Sequence, residues 1–111
     1  MATRELEVTL RERDGLTVLA LHGDVNASAE AALQSAYAEA TSGDPRSLVL
    51  GFADVEYVNS TGIALIVSLL AQARAREIEV KASGLSDHYR EIFEITRLAD
   101  FMTIEEGDGD A

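Results

Sequence analysis

The sequence contains no cysteine, which excludes a disulfide framework and any thiolate metal site. It is also poor in positive charge: 9 Lys and Arg stand against 20 Asp and Glu, a formal net charge of -11. Such a surface disfavours nucleic acid and anionic membranes as partners and attracts a basic protein. No apolar run approaches the roughly 20 residues needed to cross a bilayer as a helix; the longest, Ile63 to Ala71, is interrupted by Ser68. The opening Met-Ala-Thr-Arg-Glu-Leu-Glu lacks the apolar centre of a signal peptide. The phosphate-cradling patterns G-x-x-x-x-G-K-S/T and G-x-G-x-x-G are missing, as are the G-x-S-x-G nucleophile elbow and any metal-ligand spacing. These absences lead to the expectation of a cytoplasmic domain with no metal, nucleotide or other cofactor of its own, not inserted in a membrane and not an enzyme.

What is present is enough for one folded unit. With 111 residues, 47% of them apolar, the chain makes a single domain with a real core. Residues 5–11 alternate polar and apolar, as a half-buried strand does. Arg13-Asp14-Gly15 supplies a hairpin turn, and residues 16–21 return as a central strand, apolar enough to be covered on both faces. Gly23 to Asn26 breaks that strand, and Ser28 or Asn26 caps a helix over residues 29–40 whose Ala29, Ala32, Leu33, Ala36, Tyr37 and Ala40 form one stripe. Gly43 and Pro45 stop it. A strand follows over residues 47–52, then a helix from about residue 60 to 76, a strand over 78–82, a helix over 87–95 capped by Ser86, and a short strand over 101–104. The order of elements implies an α/β fold: a mostly parallel sheet of about five strands, an N-terminal β-hairpin and three main helices. The domain is expected to span residues 1–104, with residues 105–111 as an acidic tail.

Asn59-Ser60-Thr61-Gly62 stands at the junction between a strand and the most apolar helix. Asn and Ser are good N-caps, and the free amides there favour negative charge. Residue chemistry alone leaves two roles open for Ser60: a structural cap, or a hydroxyl that accepts a phosphoryl group. A hydrolytic nucleophile needs a base, and neither His22 nor His88 stands in a recognisable partner motif. In a parallel sheet the loops after strand ends share one rim, so Asp24 and Asn26 are expected beside Asn59, Ser60 and Thr61, although Asp and Asn also suit turns. Asp54 and Glu56 read as solvated loop charges. At about 100° per residue, Ile63, Ile66, Val67, Leu70 and Ala73 share one side of the helix. Thr61, Leu65, Ser68 and Gln72 share the other, flanked by Ala64 and Leu69. That second side is small and apolar where charge is usual, so it is a candidate docking strip.

Asp54-Val55-Glu56-Tyr57-Val58-Asn59-Ser60-Thr61-Gly62-Ile63 resembles the D-x-x-x-[hydrophobic]-D-S-[S/T]-G-[hydrophobic] stretch of STAS domains, the sulfate transporter and anti-sigma factor antagonist domains. Gly23-Asp24-Val25-Asn26 resembles the G-[E/D]-[L/V]-D loop of the same family, and Ser86 to Phe93 with Ile95-Thr96-Arg97-Leu98 resembles its last helix and the turn after it. The length implies a bacterial anti-sigma factor antagonist. The resemblance implies that the chain binds an anti-sigma factor that is also an ATP-dependent serine kinase, that Ser60 (alternatively Thr61) is phosphorylated, and that a serine phosphatase restores the active form. The partner-binding residues so implied are Asp24, Asn26, Asn59, Thr61, Gly62, Ala64, Leu65, Ser68 and Leu69. An alternative is a non-switching scaffold subunit of a stress-sensing or transport-associated complex. Asn26 and Asn59 stand where the family has Asp, and Arg97 where it has Gly.

Overall fold

The computed structural model describes residues 5–13 and 15–105. The N-terminal residues, Asp14 of the hairpin turn and the acidic tail beyond Glu105 lie outside the described residues. The elements run β1 Glu7–Arg13, β2 Leu16–Val25, a one-turn 3-10 helix Ala27–Ala29, α1 Glu30–Thr41, β3 Ser47–Val58, α2 Ser60–Ala75, β4 Glu79–Ser83, α3 Asp87–Ile95, a second 3-10 turn Leu98–Asp100, and β5 Thr103–Ile104. The five strands lie in chain order. β1 runs antiparallel to β2, and β2 through β5 are parallel. The expected mixed, mostly parallel sheet with an N-terminal hairpin is what forms. Arg13 pairs with Leu16, so the hairpin turns through two residues, and Gly15 supplies the positive φ of 82° that the turn needs.

Two strands run longer than local sequence implies. Gly23 does not end β2. Register shifts at Ala20/His22 and Gly23/Asp24 mark bulges, and Gly23 absorbs one of them at φ 123°. β2 thereby reaches Val25 and keeps a partner for β3, which continues through Asp54–Val58 instead of stopping at Phe52. Asp24 pairs with Tyr57, and Val25 with Val58. At the end of α1 the left-handed residue is Asp44, φ 52°, not Gly43. The α1 helix itself begins one residue later than expected, after the 3-10 turn.

Strand alternation sorts the sheet into two unlike faces. Leu19, Leu50 and Ala82 form one cross-strand row, and Leu48 pairs with Val80 in another. Onto this face α1 packs Leu33, Ala36, Tyr37 and Ala40, α2 packs Ile66, Leu69, Leu70 and Ala73, and α3 packs Phe93, all in one continuous core. Phe93 meets Phe52 edge-on, with ring centroids 5.6 Å apart. The opposite face carries the buried pair Val18 and Val49 outside that core. They are flanked in register by Arg11 and Lys81. β2 is central as expected, but helices cover only one of its faces.

The α2 stripe is also corrected. Its buried residues are Gly62, Ile66, Leu69, Leu70 and Ala73. Leu69, placed on the outer flank by the periodicity, is 3% exposed, and Val67, placed inside, is 45% exposed. The seat of Gly62 against β2 sets this rotation, and periodicity alone does not contain it. The helix ends in a Schellman arrangement. The Ile78 N–H donates to the Ala73 carbonyl at 2.9 Å and the Glu77 N–H to the Arg74 carbonyl at 3.1 Å. Glu77 holds the left-handed position at φ 59°.

A side chain in that conformation costs roughly 1–2 kcal/mol, partly offset by the greater freedom of glycine in the unfolded chain. Glu77→Gly is therefore expected to stabilise the domain by about 0.5–1 kcal/mol. Urea unfolding should show a raised midpoint and an unchanged slope; a lowered midpoint would contradict the reading of this turn.

Candidate functional site

The parallel pairing of Val25 with Val58 makes β2 and β3 end side by side, and each strand is followed at once by an asparagine that starts a helix. Asn26, in extended backbone, accepts the Ser28 N–H at 3.0 Å and the Ser28 hydroxyl at 2.6 Å through Oδ1. Asn59, also extended, accepts the Gly62 N–H at 2.8 Å through Oδ1. Asn26, not Ser28, is thus the cap of the first turn, and Asn59 is the cap of α2. The backbone of Asn59 is tied at both ends: its N–H donates to the Val25 carbonyl at 3.2 Å, and its own carbonyl accepts the Ile63 N–H at 2.9 Å. These short polar side chains suit both posts because they reach a backbone amide two or three residues on.

Ser60 is the first residue of α2, and it and Thr61 are exposed. Neither hydroxyl has a hydrogen bond to another described residue. The first turn of α2 contains no acidic residue, so the partial positive charge of the helix start stays uncompensated by its own sequence. Gly62 is where the helix meets the sheet. A Cβ there would lie 2.0 Å from the Val25 carbonyl oxygen, so only glycine permits this approach. The Val58 N–H, one residue before the cap, donates to the Tyr89 hydroxyl at 2.9 Å. α3 thus braces the strand that delivers Ser60. Tyr89 was not among the sequence-derived candidates; the two partners are 31 residues apart and no local pattern links them.

The expected candidates divide as follows. Asn26, Asn59, Ser60 and Thr61 are brought to one rim. Asp24 lies at the same rim but is 9% exposed and faces Tyr57 in register. Ala64 and Ser68 are exposed and Leu65 is half-buried on the open side of α2, with Gln72 donating to the Ser68 hydroxyl at 3.4 Å. Gly62 and Leu69 are buried beneath, so they support the strip and do not form its surface. Val67, exposed, takes a place there instead.

His22 has partners that its sequence context hid. Its Nδ1 lies 2.8 Å from Asp54 Oδ2, and its Nε2 lies 3.4 Å from Thr9 Oγ1. Asp54 is therefore a strand residue with a specific partner and not a free loop charge. The His22 and Asp54 side chains are 35% and 63% exposed, so this is a solvated surface contact of small energetic weight. At the turn after α3, Arg97 occupies the left-handed conformation at φ 69° where the family pattern has glycine. It bonds Asp100 at 2.7 Å, and that hydrogen bond and charge raise its pKa above the ordinary value. Among the described residues no group of three or more His, Asp or Glu is arranged to hold a metal, and no helix is long and apolar enough to cross a membrane.

The family model described as "Mlab, STAS domain" matches residues 8–104. The chain belongs to the STAS domain family. The chain is 28% identical over 91 residues to BtrV of Bordetella bronchiseptica, a candidate anti-sigma factor antagonist, covering 82% of this chain and 78% of that one. It is 36% identical over 62 residues to the anti-sigma-B factor antagonist of Staphylococcus aureus, covering 56% of this chain and 57% of the relative. The fold is similar to that of an anti-sigma factor antagonist from Mycobacterium paratuberculosis, with a TM-score of 0.74, 19% identity and coverage of 93% and 87%. It is also similar to that of the Bacillus cell fate determinant SpoIIAA in its phosphorylated form, with a TM-score of 0.68, 16% identity and coverage of 91% and 93%.

Within this STAS domain the two seats of α2 have separable energies. Asn59→Ala is expected to cost about 1 kcal/mol through the lost cap, whereas Asn59→Asp retains the cap and gains about 0.3–1 kcal/mol from the helix dipole. Equal stability of the two variants in urea would contradict the capping role. Gly62→Ala is expected to cost about 1–3 kcal/mol or more, since backbone must move to admit the Cβ; a wild-type melting curve would contradict the close approach.

Proposed function

We propose that this STAS domain is an anti-sigma factor antagonist switched off by phosphorylation of Ser60. The observation that carries the reading is the Ser60 hydroxyl, exposed at the start of α2 with no carboxylate in that first turn. The antagonist names of the relatives support it, as does the existence of a phosphorylated form of the similarly folded SpoIIAA. The partner is an anti-sigma factor that is also an ATP-dependent serine kinase, and binding it frees a sigma factor in the cytoplasm. ATP belongs to that partner, so the chain itself is not an enzyme. A serine phosphatase reverses the mark.

The switch acts through charge. A phosphoserine adds about 1.5–2 negative charges. The start of α2 tolerates them, since free amides and the helix dipole favour an anion there. A fitted protein interface does not: an unpaired buried charge costs about 2–5 kcal/mol, which is roughly a 30- to several-thousand-fold loss of affinity. The surface the partner covers comprises the rim of Asp24, Asn26, Asn59 and Thr61 and the strip of Ala64, Leu65 and Ser68. Gly62 and Leu69 hold that surface from below.

A second reading is favoured by Asn26 and Asn59. Both stand where the family has carboxylates, and both side chains are committed to capping. If those carboxylates assist transfer, the chain is a constitutive scaffold of a stress-sensing or transport-associated complex. The two readings separate on incubation with the anti-sigma serine kinase of the same organism and ATP, followed by intact-mass measurement and site mapping. The switch predicts one phosphate on Ser60, retained in Thr61→Ala and lost in Ser60→Ala. It also predicts that Ser60→Asp folds normally and binds the kinase at least tenfold more weakly. An unmodified chain whose Ser60→Asp variant binds as tightly as wild type selects the scaffold.

A further inference from the structure

Beyond the Ser60 rim, two apolar side chains stand exposed beside each other across α2 and the turn before β5. Val67 is 45% exposed and Phe101, in the turn before β5, is 51% exposed. Between them runs a groove of about 450 Å³ lined chiefly by Val67, Leu70, Ala71, Arg74, Leu98 and Phe101. Its walls are helix α2 on one side and the segment of Thr96 to Phe101 on the other. Its volume and its mostly apolar walls with one charged group are those of a small-molecule site.

Arg74 decides the chemistry. The chain has 20 acidic residues against 9 basic ones, yet Arg74 forms no ion pair with a described residue. Its guanidinium instead rests over the Phe101 ring, 5.4 Å from the centroid. That stacking holds the planar fork in place while leaving its N–H donors available, an arrangement that suits a carboxylate. A neighbouring cavity across Leu70, Arg74 and Phe101 is lined by Glu77, Glu79 and Asp100 and repels an anion. An amphipathic acid therefore presents its head at Arg74 and runs its tail away from those carboxylates, along Ala71 and Val67.

We infer that the groove between α2 and the Thr96–Phe101 segment binds a medium-chain fatty acid, its carboxylate on Arg74 and its single aliphatic chain on Val67, Leu70, Ala71 and Leu98. The site does not use Ser60, and it shares only Val67 with the open strip of α2.

The test is a titration of the intact protein with sodium decanoate below its micellar concentration, read by methyl carbon–proton NMR, with decanol and octanoate as comparisons. The Val67, Leu70 and Leu98 methyls should shift selectively. Decanoate should bind up to about fourfold more tightly per added methylene than octanoate. Decanol should bind about tenfold more weakly than decanoate, and Arg74→Gln should remove that difference while leaving the chain-length dependence. Ala71→Phe, on an exposed helix position, should fill the groove and abolish the shifts, with folding checked by circular dichroism. Equal affinity for decanoate and decanol, absence of selective shifts, or binding that survives Ala71→Phe would overturn the proposal. So would sedimentation showing that a second copy of the chain covers Val67 and Phe101 in solution.

Discussion

A single backbone carbonyl, that of Val25, organises the rim of this domain that carries Ser60. It receives the Asn59 N–H and it is the atom against which Gly62 closes. Because Val25 and Val58 are paired at the ends of adjacent parallel strands, the carbonyl fixes both the position of α2 and its rotation about its own axis. The rotation is the consequential part. It sends Ile66, Leu69 and Ala73 into the core and leaves Ser60, Ala64, Val67 and Ala71 facing solvent. A helix held less closely could roll by a fraction of a turn and exchange those sets.

The polar chemistry of the rim follows from the same seat. Two asparagines, each directly after a strand, spend their side-chain oxygens on helix starts. Neither brings a charge, so the amides of α2 meet no carboxylate within the first turn. This is an environment that favours an anion at the start of α2, the property on which the switch proposed for Ser60 relies. The Tyr89 hydroxyl adds a brace from the far end of the sequence, so α3 contributes to holding the junction although it lies outside the rim.

The helices all bury their stripes on one side of the sheet, and the consequences reach both faces. The uncovered side carries Val18 and Val49, flanked in register by Arg11 and Lys81, and the surface contact of His22 with Asp54. The covered side is not sealed at its lower edge, where α2 and the segment before β5 leave apolar surface open.

Much of this could be read along the chain. The order of elements, the hairpin, the caps at Asn59 and Ser86 and the bounds of α3 follow from turn chemistry and from apolar spacing, which act between near neighbours. The stretch from Asp54 to Ile63 carried the family resemblance in the same local way. Other features depended on partners distant in the chain. β2 and β3 ran past their apparent ends because each supplied the other's ladder. Leu69 and Val67 exchanged sides because the contact of Gly62 with Val25 set the helix rotation. His22 found Asp54, and Tyr89 found Val58, across separations that no window along the sequence spans. The sequence by itself determined which segments become strands and helices and where the Ser60 hydroxyl falls among them, since those are local preferences. Only the tertiary structure decided which residues face outward, because facing is a property of the packed pair and not of either segment alone.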